Sequence, residues 1–155
     1  MIAAATLGGA ALLYAVALGA GGVTFDVTPL FIGLSALAAG LLGRSRHLLP
    51  PGAVLCGWGA AVLLIRHGPL PADREAPGFL IGVGVGLVAA HLLARRTGAS
   101  TLGAAMTAAT GGLAFYAAYD ISALGRWPVW AGALVVWAIW EAVIHPRIER
   151  SPTHG

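Results

Sequence analysis

The sequence predicts an all-α integral membrane protein with six transmembrane helices. Three observations predict it. Of 155 residues, 58% are hydrophobic and only 10% are charged, whereas a soluble domain carries about 25% charged residues. A domain this small exposes too much surface to hide such an apolar excess from water. The apolar residues also fall in runs of membrane length, about 20 residues per crossing, separated by stretches rich in Pro, Gly and Arg.

Six spans follow, at 3–23, 27–43, 51–66, 77–95, 101–119 and 127–145, forming one domain over 1–147 with a solvated tail at 148–155. The first opens with "MIAAATLGG", which lacks the basic start of a signal peptide and reads as a retained helix. It offers Ala11, Ala15 and Gly19 as small packing residues. Asp26 and Pro29 mark the turn into the second span. "RSRHLLPPG" (Arg44–Gly52) leads to the third, with Gly52, Cys56 and Ala60 on one ridge. "RHGPLPADREAPG" (Arg66–Gly78) leads to the fourth, where Gly78, Gly82, Gly86, Ala90 and Ala94 recur at every fourth position. Lipid supplies no hydrophobic force between helices, so such a ridge holds them by letting backbones approach closely.

"RRTGAS" leads to the fifth span, with Gly103, Thr107 and Gly111, and "DISALGRWP" leads to the sixth. In the sixth, Trp127 and Trp130 belong to an interfacial aromatic belt with Tyr116 and Tyr119, while Trp137 and Trp140 lie deeper.

Three stretches look alike: Pro29–Arg46, Pro77–Arg96 and Pro128–Arg147 each open on Pro, carry Gly33, Gly82 or Gly132 soon after, and end on Arg. Asp26, Asp73 and Asp120 recur every 47 residues. The expected architecture is three tandem two-helix hairpins in a pseudo-threefold bundle. Arginine placement predicts the orientation. Arg44, Arg46, Arg95, Arg96, Arg147 and Arg150 lie on the side of the termini, against Arg66, Arg74 and Arg126 on the other. By the positive-inside rule both termini face the cytoplasm, which places the protein in the cell membrane.

The chemistry is sparse. The chain has no Lys, Asn or Gln, which fits the codon bias of a GC-rich genome, so intramembrane polarity must come from other side chains. A single cysteine, Cys56, excludes an internal disulfide or thiol redox pair. The net charge of +3 forms no basic block, which argues against nucleic acid. No nucleophile–base pair or nucleotide motif is present, so an enzyme is not expected, and no cofactor or metal is assigned.

Glu141 stands in the apolar run "VVWAIWEAVIHPR", one turn before His145 and on the same helix face. His91 lies at the same membrane level. Charges inside a membrane are costly and mark ion or proton routes. Glu141, His145 and His91 therefore read as an inner polar gate, with Asp26, Asp73 and Asp120 as an outer mouth that concentrates cations. The competing reading pairs Glu141 with a terminal arginine at the headgroups.

The first functional expectation is a small transporter or channel for a proton, cation or small solute. The second is a non-catalytic accessory subunit of a larger membrane complex, held through glycine ridges such as Gly78, Gly82 and Gly86. A haem-binding redox protein is a weaker third: His47, His91 and His145 lie at one level and with Glu141 could hold a metal, whereas haem needs axial histidine pairs on facing helices. The expected partners are the lipid bilayer and a second copy or another membrane protein.

Overall fold

The computed structural model describes residues 1–21, 24–68, 75–110 and 127–144, with backbone alone at 75–77, 127, 141 and 144. Among these residues the fold is all-helical. It comprises α1 (Ile2–Gly19), α2 (Thr28–Leu42), α3 (Leu49–His67), α4 (Glu75–Thr97), α5 (102–110) and α6 (Trp127–Ile139). A π-helical turn, Trp140–Ile144, continues α6, and short 3₁₀ turns precede α2 (Phe25–Val27) and α3 (Arg46–Leu48). Four stretches are long and apolar enough to cross a membrane: Ile2–Gly19, Phe25–Leu42, Arg46–His67 and Gly78–Thr97. By length and composition this is a multi-pass membrane protein. The parts of the fifth and sixth spans at 111–119 and 145 lie outside the described residues.

Proline lies in the first turn of α2 and of α3. Pro29 in α2 and Pro50 and Pro51 in α3 occupy the first turn, where a missing N–H leaves no helical bond unmade. The third helix therefore begins at Leu49, earlier than expected, with both prolines buried inside it. The fourth helix ends on a left-handed glycine. Gly98 has φ +71, and its N–H bonds the Ala94 carbonyl at 2.8 Å.

The helices pack α6 on α1, α1 on α2, α2 on α3 and α3 on α4. Alternating direction puts two sets of loops at opposite ends. At one end Gly43 presses on Ala3, and Arg46 donates to the Thr97 carbonyl at 3.0 Å. This basic end also carries Arg44, Arg95 and Arg96. At the other end the Phe25 and Trp130 rings lie 6.0 Å apart and Asp26 meets His67.

The centre belongs to α3. Of its apolar window 72% is buried, against 33% for α1 and 17% for α4. Glycines make this burial possible on both sides. Towards α2, a Cβ on Gly33 would stand 2.6 Å from the Cys56 amide nitrogen, and one on Gly59 would stand 2.3 Å from that of Leu30. Towards α4, a Cβ on Gly57 would stand 2.5 Å from the Gly82 carbonyl oxygen, and one on Gly86 would stand 2.9 Å from Val54 Cα. Only glycine permits such backbone contact between helices in lipid.

Three expected ridges need correcting. In α3 the seam towards α2 runs Gly52, Cys56, Gly59, and Ala60 is exposed. In α1 the buried stripe is Ala3, Leu7, Ala11, Tyr14, with Gly19 exposed. In α5 Ala104 is buried beside Ala53, Val54 and Ala90, while Gly103 is exposed. The cause is the helical period of 3.6, which turns a strict every-fourth ridge away from a seam that alternates steps of three and four. In α4 the buried positions do recur every fourth residue, at Gly82, Gly86, Ala90 and Ala94, with Gly78 half-buried. Threefold equivalence is not shown. Gly33 and Gly82 both press on α3, whereas a Cβ at Gly132 meets nothing within 4 Å.

Candidate functional site

The interior that the described residues enclose is closely packed and nearly apolar. Its buried polar side chains are Thr28 and Ser35, joined by the hydroxyl of Tyr14, which is 1% exposed. Tyr14 and Thr28 share a short hydrogen bond across α1 and α2, and the Tyr14 ring lies 5.3 Å from that of Phe31. Ser35 donates to the Phe31 carbonyl at 2.7 Å, one turn back on its own helix. Thr107 and Thr110 do the same in α5, each at 2.7 Å. Such back-bonds occupy the hydroxyl proton within the helix itself. Among the described residues no buried side-chain polar atom lacks a partner.

The Tyr14–Thr28 pair was not singled out from the sequence. Its signal was there: Tyr14 completes the stripe Ala3, Leu7, Ala11, Tyr14, and Thr28 directly precedes the proline that starts α2.

The expected gate residues are only partly placed. His91 is exposed on α4, one turn before Arg95 and turned away from the Ala90–Ala94 seam. The backbone of Glu141 lies in the π-helical turn, and its side chain is outside the described residues, as is all of His145. The helices that lead to His91 and Glu141 pack on different neighbours, α4 on α3 and α6 on α1. His47, half-buried in the 3₁₀ turn before α3, shares the basic end with His91. Among the described residues no three His, Cys, Asp or Glu side chains converge as a metal would require.

Of the expected outer aspartates, Asp26 is half-buried on the 3₁₀ turn before α2, its Oδ2 3.5 Å from His67 Nε2. It ties that turn to the end of α3. Asp73 and Asp120 lie outside the described residues.

The most distinctive outer surface is on α6. One side turns inward, with Leu134 1% exposed and Trp130 and Trp137 packed on the core. The opposite side presents Val129, Gly132, Val136, Trp140 and Val143, all exposed. Their steps of three, four, four and three make one continuous stripe along the helix. Gly132 is its low point and Trp140, 45% exposed, its high point. No protein family, curated protein or solved structure matches the chain.

Proposed function

We propose that this chain is a non-catalytic accessory subunit that binds a helix of another membrane protein along the outer stripe of α6. The observation behind the reading is Gly132, exposed on that stripe with nothing within 4 Å of the position its Cβ would take. Glycine inside a helix costs about 1 kcal/mol relative to alanine. Gly8, Gly9, Gly84 and Gly103 have equally open Cβ positions, and Gly132 is set apart by sharing its stripe with the exposed Trp140; a partner helix would gain close backbone approach there. Trp140, two turns further along the same stripe, offers the large amphipathic anchor that dominates many interfaces. The packed centre around α3 supports the same reading, because it fills the place a conduction route would use.

In this reading the basic end, with Arg44, Arg46, Arg95 and Arg96, faces the cytoplasm. Arg66 is the described arginine of the other end.

The test is a native gel of the chain extracted gently from its own membranes. The wild type is expected to run as a complex larger than the chain alone. Gly132→Leu is expected to reduce it to the chain alone while circular dichroism and melting stay unchanged. Wild type already running as the isolated chain would count against the proposal.

A second reading keeps transport of a proton, cation or small solute through Glu141. The π-helical turn favours it, since such turns recur at functional sites. Its test is flux into liposomes carrying the purified chain, with Glu141→Gln as the variant that removes the flux.

A further inference from the structure

A groove of about 400 Å³ opens along the outside of the α1–α2 seam. Ala5, Gly9 and Leu13 of α1 line one wall, and Leu34 and Ala38 of α2 line the other. Ala5 to Leu13 covers about 12 Å of helix at 1.5 Å per residue. Two hydroxyls, Thr6 and Ser35, also belong to the lining. Both are spent on their own helices: Thr6 donates to the Ile2 carbonyl at 2.9 Å, and Ser35 to Phe31. The groove thus offers mostly hydrocarbon contact, no charged side chain and no free hydroxyl proton, which suits an acyl chain. Its floor at Gly9 is open, with nothing within 4 Å of the Cβ position.

One end of the groove leads to the basic end of the bundle. Gly43 closes the seam there, its Cβ position 2.6 Å from Ala3 Cβ. Arg44 follows at once, exposed and held at φ +53. Arg46 lies two residues on but is engaged with Thr97. Arg44 is thus the first exposed arginine beyond that end of the groove, with Arg95 and Arg96 adding positive charge at the same end of the bundle. An apolar groove that ends on a cation is complementary to a lipid with one chain in the groove and a negative headgroup at its mouth. Basic pockets between transmembrane helices hold such headgroups.

We infer that the α1–α2 groove is a binding site for one anionic phospholipid, its acyl chain along Gly9 and its phosphate at Arg44. The site lies apart from the α6 stripe and stands whether or not that stripe binds a partner.

Native mass spectrometry of the full chain tests this, with phosphatidylglycerol and phosphatidylcholine of identical chains as probes. Wild type is expected to bind one phosphatidylglycerol at least about fivefold tighter than phosphatidylcholine, a preference of the size one arginine near a headgroup supplies. Arg44→Asn removes the charge, and asparagine tolerates the left-handed backbone. It is expected to cut that preference about fivefold, the share of one arginine. Gly9→Leu fills the open floor and is expected to abolish both adducts. Equal binding of the two lipids by wild type would overturn the inference. So would unchanged binding in Gly9→Leu, or a wild-type dimer that Gly9→Leu converts to monomer, which would give the groove to a second copy. Should Gly9→Leu lose its fold, Arg44→Asn alone decides, because it alters a loop.

Discussion

Gly57 of α3 and Gly82 of α4 meet backbone to backbone: a Cβ on Gly57 would stand 2.5 Å from the Gly82 carbonyl oxygen, and one on Gly82 would stand 2.4 Å from Ala61 Cβ. The contact joins the central helix to its neighbour with no intervening side chain. Overpacking a close seam costs about 1–3 kcal/mol. Gly57→Val should therefore destabilise the protein by about 2 kcal/mol, measured by denaturant unfolding in detergent. Gly84→Ala, where nothing lies within 4 Å, should instead stabilise the protein by up to about 1 kcal/mol in the same experiment.

The Tyr14–Thr28 bond is the polar link between α1 and α2 inside the bundle. Hydrogen bonds between membrane helices contribute about 0.6 kcal/mol on average and about 1.7 at most. A double-mutant cycle of Tyr14→Phe and Thr28→Val should give a coupling of about 1 kcal/mol. A coupling near zero would show that the two residues act through packing alone.

Arg46 caps the carbonyl of Thr97 at the end of α4. Such a bond contributes about 0.5–1.5 kcal/mol. Arg46→Gln should speed amide exchange in the last turn of α4 by about threefold to tenfold. Exchange in α3 should stay unchanged.

Much of the scaffold was legible in the sequence because glycine and proline act locally. Pro29 was readable as a helix start, and Gly82 and Gly86 lie on the seam that their spacing suggested. The side on which a helix packs was harder to read. Ala60 is nearly as small as its buried neighbour Gly59, and Gly103 is smaller than its buried neighbour Ala104, so size alone does not tell the seam from the exposed face. The dominance of α3 was hidden for the same reason, since its composition resembles that of the other spans. His91 was readable as a polar residue near a helix end, but its outward direction depends on where α3 sits.

The packed interior also bears on transport. Purified chain in liposomes should show no proton or cation flux above that of empty liposomes. A flux that Glu141→Gln removes would favour the transport reading over the accessory one.

The central claim is that the α6 stripe carries a protein partner, and cross-linking in native membranes tests it most directly. Cysteine would be placed at Gly132, or at Leu41 on α2 as an exposed control, in a Cys56→Ala background. A thiol-reactive cross-linker should yield one adduct of defined mass from position 132 and none from position 41. No adduct from position 132, or the same adducts from both positions, would contradict the account.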